Sequence, residues 1–145
     1  MVKTFETDTD LINERNVIDT LSHHWGFQFL KLDRRYQADF MAVDGDQLKL
    51  WVEIKCRRIP HDEYPTIILE LDKCLAMSNL SQTTGVPALF VARWTDRLGW
   101  IKIAPLFKVS YTGKNDRYGL AGSPCVLLPI KHFIFLEMTD ERTDK

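Results

Sequence analysis

Three charged residues, Asp39, Glu53 and Lys55, have the types and the spacing that a phosphodiester-cleaving metal site needs. Even-numbered positions of the segment Leu48–Cys56 are apolar, so Glu53 and Lys55 share the other face of a predicted strand, about 6.6 Å apart. Mg²⁺ is usually held by one or two carboxylates together with waters and substrate phosphate. A neighbouring ammonium could then orient the attacking water. The spacing therefore predicts a metal-dependent phosphodiesterase site on exposed faces of two adjacent strands.

The two strands that carry these residues form a predicted β-hairpin that turns at Asp44–Asp46. Directly paired residues of a hairpin share a face, so Asp39 joins Glu53 only if Asp39 pairs with an odd-numbered residue. A two-residue turn at Asp44 and Gly45 would pair it with Leu50 instead. The site therefore requires a three-residue or five-residue connection, or a bulge.

Asp39, thirteen intervening residues, Glu53, one residue and Lys55, on a strand pair preceded by a helix, resemble the PD-(D/E)xK nuclease superfamily. The resemblance covers about residues 11–105 and is to small nucleases of the Holliday-junction-resolvase type. It implies an α/β fold, with a central mixed β-sheet flanked by helices and an αβββαβ restriction-endonuclease-like core. It also implies Mg²⁺ or Mn²⁺ bound at Asp39, Glu53 and Ile54, with Lys55 assisting the nucleophile. The superfamily's proline before the aspartate is absent, since Ala38 occupies its place.

The Glu53-x-Lys55 pattern taken alone is equally typical of a solvated sheet face. The upstream helix adds a second observation, because Leu11, Ile18, Leu21 and Trp25 form its apolar stripe and Glu14 lies on that stripe. In several branches of the resembled superfamily a glutamate from the first helix extends the metal site. Glu14 is therefore a candidate ligand. The alternative is a glutamate near the helix start, where the helix dipole favours it.

Cations and one aromatic residue around the motif suit contacts with a nucleic-acid backbone. Arginine can donate two parallel hydrogen bonds to a phosphate and stays charged. Lys73 lies near the start of the next helix, where a soluble surface lysine is the alternative, and a hydrophilic loop is the alternative for the others. His61 is interpreted as a surface histidine. The candidate nucleic-acid contacts are Arg34, Arg35, Arg57, Arg58, Tyr64 and Lys73.

Downstream of the motif the sequence predicts a helix, buried strands, a long loop and a last strand. The helix covers about 72–83 and ends before Gly85. Neighbouring strands cover 87–94 and 98–103, a loop covers 110–123, and an edge strand covers 126–136, where Pro129 suits an edge. In that loop Lys114, Arg117 and Tyr118 could contact DNA, although a flexible polar loop is the alternative. Cys56 is expected on the inward face of its strand. The domain assignment is a polar segment at 1–10, a nuclease-like domain at 11–136 and a tail at 137–145.

Composition bounds the compartment and the partner. Lys and Arg number 19 against 20 Asp and Glu, for a net charge of -1, but both ends are acidic, and residues 11–136 hold 16 cations and 13 acids. That surplus makes a moderately basic surface possible. Three cysteines without close spacing indicate neither a disulfide framework nor a zinc site. No apolar run is long enough to span a membrane, and residues 1–6 are unlike a secretory leader. We therefore expect a cytoplasmic, reducing environment.

These observations together predict a single-domain Mg²⁺-dependent nuclease that hydrolyses DNA. RNA as the substrate, and endonuclease against exonuclease action, stay open. One site cleaves one strand at a time, so cutting both strands would need a homodimer, as in the resembled resolvases. The alternative from another class is a catalytically inactive nucleic-acid-binding or assembly module of the same fold.

Overall fold

The structure is a computed structural model that describes residues 8–104, 108–111 and 123–137. This part of the chain forms two α-helices and nine β-strands. The elements are α1 (Asp8–Trp25), β1 (Gln28–Lys31), β2 (Phe40–Asp44), β3 (Gln47–Cys56), β4 (Thr66–Glu70), α2 (Leu71–Thr84), β5 (Ala88–Arg93), β6 (Leu98–Lys102), β7 (Lys108–Tyr111), β8 (Pro124–Pro129) and β9 (Ile134–Phe135).

Six of the strands form one mixed sheet in the order β1-β2-β3-β5-β6-β9. Its central pair, β3 and β5, is parallel, and the other neighbouring pairs are antiparallel. A parallel pair needs a crossover connection, and here β4 and α2 supply it. The remaining strands form a smaller antiparallel sheet in the order β4-β8-β7. The predicted α/β fold with a central mixed sheet is confirmed.

Both faces of the main sheet are covered, so the protein has two apolar cores. Leu50 and Val52 of β3 pack with Leu21 of α1 on one face. Trp51, between them on the strand, packs on the other face with Met77 of α2 and with the smaller sheet. The expectation that the odd-numbered face of β3 is exposed was therefore wrong. Glu53 and Lys55 lie on the same face as Trp51, where this core ends and β3 becomes exposed.

Apolar residues three or four apart place α1 against the sheet. Val17, Ile18 and Leu21 are buried, and Trp25 is half-buried at the end of the helix. Gly26 ends α1 with a φ of 76°, a left-handed conformation that favours glycine, and its N–H donates to Ser22 O at 2.8 Å. The predicted helix therefore forms, and it begins at Asp8.

Helix α2 ends as the sequence predicts, at Gly85, which has a φ of 77°. Cys74, Met77 and Leu80 are buried against the sheet. This packing fixes the first turn of α2, and with it Lys73, over the end of β3.

Three expectations need correction or supplement. Residues 126–136 do not form one edge strand, because β8 is the central strand of the smaller sheet and only the two-residue β9 lies at the edge of the main sheet. Cys56 is exposed rather than buried, since β3 ends there, beyond the core. Strand β1 is short and mostly exposed, and its sequence carried no clear signal.

Neither described helix is long and apolar enough to cross a membrane. The predicted loop at 110–123 falls largely on 112–122, outside the described residues, as do its candidate contacts Lys114, Arg117 and Tyr118. Most of the predicted terminal segments, 1–10 and 137–145, also lie outside them.

Candidate active site

A β-bulge sets the register on which the site depends. The turn between β2 and β3 contains only Gly45 and Asp46, because Asp44 pairs with Gln47. The pairing then shifts between Ala42 and Val43, which leaves Lys49 of β3 without a directly opposite residue. Beyond this bulge Met41 pairs with Trp51, so odd-numbered residues of the two strands share a face. The bulge that the site required is confirmed.

Asp39 lies just before β2 and is bound to β3 through both its main chain and its side chain. Its N–H donates to Val52 O at 3.0 Å, and its Oδ2 accepts a hydrogen bond from Ile54 N–H at 2.9 Å. Its carbonyl also accepts from Leu32 N–H at 2.9 Å, which fixes the β1–β2 connection. These bonds hold the Asp39 carboxylate against the segment of β3 that carries Glu53.

Glu53 is the most perturbed acid of the site. Burial raises its pKa from the ordinary 4.5 to about 7, and the nearby charge of Asp39 adds to the rise, while Lys73 and Lys55 oppose it. Only 17% of its side chain is exposed. Two carboxylates brought together in a partly dry site are electrostatically unfavourable without a cation, so a raised pKa is expected for one of them.

Lys73 is the cation nearest to Glu53. Its Nζ lies 3.3 Å from Glu53 Oε1 and donates a hydrogen bond to Gln37 O at 3.1 Å. Glu53 Oε1 nevertheless counts as a buried oxygen without a hydrogen-bond partner. We therefore interpret the contact between Lys73 and Glu53 as an ion pair whose geometry does not suit a hydrogen bond. The position of Lys73 predicts a phosphate contact but not this pair with Glu53, because contacts between residues 20 positions apart leave no local signal in the sequence.

Lys55 and Ile54 complete the motif. Lys55 is exposed, on the same face of β3 as Glu53, and its charge acts on the Glu53 carboxylate. Ile54 has no side-chain donor, so it could contribute to a metal only through its main-chain carbonyl. Its N–H is already bonded to Asp39. The structure thus brings Asp39, Glu53 and Lys55 to one end of the β2–β3 hairpin.

Glu14 lies at a different place. Its Oε1 forms an ion pair with Lys31 Nζ at 2.8 Å, and its side chain is only 15% exposed. Lys31 ends β1, so Glu14 joins α1 to the first strand of the sheet. No group of three potential ligands that includes Glu14, Asp39 and Glu53 forms within the described residues. Its role as a metal ligand stays a prediction.

The candidate nucleic-acid contacts are spread around this end of the sheet. Arg34 and Arg35 are exposed in the β1–β2 connection, where Arg35 Nε donates to Asp33 Oδ1 at 3.2 Å. The main-chain N–H of Arg35 donates to the same oxygen at 2.8 Å, and this bond, together with the guanidinium contact, holds the pKa of Asp33 below its ordinary value. Arg57 and Arg58 line a cavity on the α1 side of the sheet. Tyr64 is 57% exposed.

A second group of potential metal ligands consists of His61, Asp62 and Asp96, whose ligand atoms lie within 4.8 Å of one another. His61 donates its N–H to Asp96 Oδ1 at 2.9 Å, and its Nδ1 lies 2.8 Å from Asp96 Oδ2. These bonds satisfy both partners without an ion. They tie the segment after β3 to the β5–β6 turn, and they make this group a weaker candidate than the half-buried carboxylates of Asp39 and Glu53.

The fold and the site define a protein of the restriction-endonuclease-like, PD-(D/E)xK class. The chain belongs to the family described as phage putative PDDEXK endonuclease, whose model matches residues 1–136.

The fold is also similar to that of Hjc, a Holliday junction resolvase from the archaeal hyperthermophile Archaeoglobus fulgidus. The TM-score is 0.50, the match covers 81% of this chain and 93% of that chain, and the sequence identity is 13%. At this identity the likeness shows the fold alone. No curated protein sequence matches the chain.

Proposed function

We propose that this protein hydrolyses phosphodiester bonds of DNA with a divalent metal ion, Mg²⁺ or Mn²⁺, held by Asp39 and Glu53. The observation that carries the proposal is the buried oxygen Oε1 of Glu53, which lacks a hydrogen-bond partner beside the charge of Asp39. Membership of an endonuclease family supports the same function. The arrangement is costly for folding alone, because Glu53 is largely buried beside a second carboxylate and Lys73 compensates its charge only in part.

The donor set fits a hard divalent cation. Asp39 and Glu53 offer carboxylate oxygens, and the Ile54 carbonyl is a further oxygen donor of the same segment. When bound, the cation supplies positive charge to the phosphoryl oxygens and lowers the pKa of a water molecule. The hydrogen bond from Ile54 N–H keeps the Asp39 carboxylate in place before a cation arrives.

Lys55 has the position of the residue that orients the nucleophile. It is exposed, so it can reach a water or a phosphate oxygen. It lies two residues beyond Glu53, on the same face of β3. Its ammonium donates hydrogen bonds and has no acceptor, so its role is to orient the water and to stabilise negative charge on the phosphoryl group.

Lys73 compensates part of the charge of the two carboxylates when no divalent cation is present. Its charge lies at the Glu53 oxygen that a metal would use. Gln37 O accepts its other contact, so the ammonium can withdraw toward the β1–β2 connection or toward a substrate phosphate. We therefore propose that Lys73 couples metal binding to substrate binding.

A cleavage panel tests the proposed function. Plasmid, linear duplex, single strand, flap, four-way junction and RNA duplex are incubated with Mg²⁺ or Mn²⁺. We expect wild-type protein to cut at least one DNA substrate, Glu53→Gln to be inactive, and Lys55→Ala to be about 100-fold slower or worse. Glu63→Gln, on an exposed glutamate, is the matched control. Metal binding without cleavage of any substrate would contradict the proposal and point to a nucleic-acid-binding module.

We extend the proposal to a homodimer, because a single site cleaves one strand and cutting both strands requires two sites. Sedimentation velocity with and without a four-way junction measures the oligomeric state. A monomer that cuts both strands only through two independent nicks would contradict this extension.

A further inference from the structure

A polar groove lies at the same end of the main sheet as Asp39 and Glu53, but on the opposite face. It is a cavity of about 420 Å³ between the first half of α1 and the ends of β3 and β5. We call it the arginine groove. The residues of the groove used below are Asn13, Asn16, Cys56, Arg57, Arg58 and Arg93.

Strand alternation fixes the face on which this groove lies. Val52 of β3 and Val91 of β5 belong to the core under α1. Cys56 and Arg93 follow at even spacing on the same two strands, and they pair with each other in the parallel register. Arg57 N–H then donates to Arg93 O at 2.8 Å, which holds the end of β3 against the end of β5. The Arg93 side chain therefore points to α1, away from Glu53.

The charges of the arginine groove are unbalanced. Among the described residues, its lining contains three arginines and no acid. In the part of the chain that the structure describes, none of the three has an ion-pair partner, whereas Lys31, Arg35 and Lys73 each contact a carboxylate. Three like charges that line one groove, with no counterion among the described residues, repel one another, and an anion bound there would relieve the repulsion.

The chemistry of the lining selects a phosphate. Arginine presents two parallel donors that match phosphate oxygens. Asn13 and Asn16 add amide donors on the other wall of the groove. They are three residues apart on α1 and therefore lie on the same side of the helix. None of these groups needs to read a base.

We infer that the arginine groove binds the backbone of the same DNA, at a phosphate some nucleotides away from the bond that is cut. This inference rests on the proposed function. Lys55 and Cys56 are consecutive and face opposite sides of the sheet, so the end of β3 is the border between the cleavage site and the groove. A strand held at Lys55 reaches the groove by passing over this end. Arg93, Asn13 and Asn16 thereby become substrate-positioning residues that the sequence pattern did not mark.

Binding without metal tests the groove independently of cleavage. Fluorescence anisotropy measures the affinity for a labelled DNA duplex in EDTA across a series of salt concentrations. We expect Arg93→Ala and Arg57→Ala each to weaken binding about tenfold and to lower the salt slope by about one. Lys102→Ala is the matched control. This variant removes the same charge from an exposed position on β6. Lys102 pairs with Leu89 near the start of β5, whereas Arg93 ends that strand. Circular dichroism confirms that each variant is folded.

Cys56 provides a second readout inside the groove. It is exposed, whereas Cys74 and Cys125 are buried, so a maleimide reagent should label Cys56 selectively in the folded wild-type protein. Saturating DNA should slow this labelling at least fivefold, and the Arg93→Ala variant at the same DNA concentration should lose most of this protection.

The outcomes separate the groove from the nuclease activity. Weakened binding in the arginine variants, together with protection of Cys56, supports the groove even if the wild type cuts nothing. Arginine variants that bind as Lys102→Ala does, with Cys56 labelled equally fast in the presence of DNA, overturn the inference even if the wild type cleaves DNA normally.

Discussion

Glu53 Oε1 and Lys73 Nζ lie 3.3 Å apart, so the glutamate of the motif is held by a lysine from the following helix when no divalent cation is present. The pair connects β3 to the first turn of α2 across the open end of one core. Burial and the Asp39 charge nevertheless keep the pKa of Glu53 near 7. The lysine therefore compensates the site only in part, and the remaining imbalance is what a divalent cation would remove.

This imbalance predicts a stability gain on removal of the Glu53 charge. The pKa of Glu53 in the folded protein, about 7, lies above its ordinary 4.5. The contribution of this group to stability is therefore full below pH 4.5 and declines as the pH rises to 7, by on the order of 3 kcal/mol. We expect Glu53→Gln to raise the unfolding free energy at pH 8 in EDTA by about 1–3 kcal/mol. Urea denaturation measures it. Glu63→Gln is the control, and an equal or lower stability of Glu53→Gln would contradict the assignment.

The same pKa predicts that metal affinity rises with pH. A metal ligand must be deprotonated, so binding at pH 6 must displace a proton from Glu53, and binding at pH 8 need not. As the pH rises toward 7, the affinity for Mn²⁺ should increase about tenfold per pH unit. Above pH 7 the affinity should level off. Calorimetric titration in two buffers of different ionisation enthalpy measures the proton released. A flat affinity between pH 6 and 8 would show that Glu53 is not the ligand.

Substitution of Lys73 should move this pH dependence. Its charge lowers the pKa of Glu53, so Lys73→Met should raise that pKa above 7 and shift the rise in metal affinity to higher pH. NMR of protein labelled with ¹³C at glutamate carboxyls follows the Glu53 titration directly. Lys102→Met, two strands away from Glu53 and on the opposite face of the sheet, should leave the curve unchanged. An unshifted curve in Lys73→Met would contradict the contact.

Deletion of Lys49 tests the bulge. Without the extra residue, the two-residue turn would pair odd-numbered residues of β2 with even-numbered residues of β3, and Asp39 would leave the face of Glu53. We expect the deletion to abolish metal binding and cleavage, whereas Lys49→Ala, which keeps the residue count, should retain both. Because the deletion could also unfold the hairpin, circular dichroism and thermal unfolding accompany the assay. A folded deletion variant that still binds metal would contradict the register argument.

Local patterns in the sequence were sufficient for the helices, the hairpin and the buried strands. Alternating apolar residues identified β3, and glycine after an apolar helix identified the end of α2. The motif requires odd-numbered residues of β2 to pair with odd-numbered residues of β3, so that Asp39 and Glu53 share a face. The bulge at Lys49 produces this register. These features depend on neighbours in the chain, which is why they could be predicted.

Features that depend on distant pairing could not be predicted in the same way. The central place of β8 in the smaller sheet rests on its pairing with β4 and β7, and the exposure of Cys56 rests on where the core under β3 ends. The contact between Glu53 and Lys73 and the convergence of Arg57 with Arg93 likewise arise only when the crossover places β5 beside β3. Their residue types are visible in the sequence, but their proximity is not.

The most direct test of the metal site is an electron paramagnetic resonance titration with Mn²⁺ at pH 8, comparing wild type, Asp39→Asn, Glu53→Gln and Asp96→Asn. Bound Mn²⁺ is counted from the loss of the free-ion signal. We predict that Asp39→Asn and Glu53→Gln lose the bound ion, and that Asp96→Asn binds as the wild type does, because His61 already satisfies that carboxylate. Binding that survives Glu53→Gln and disappears in Asp96→Asn would move the metal to the His61 group and contradict the proposed active site.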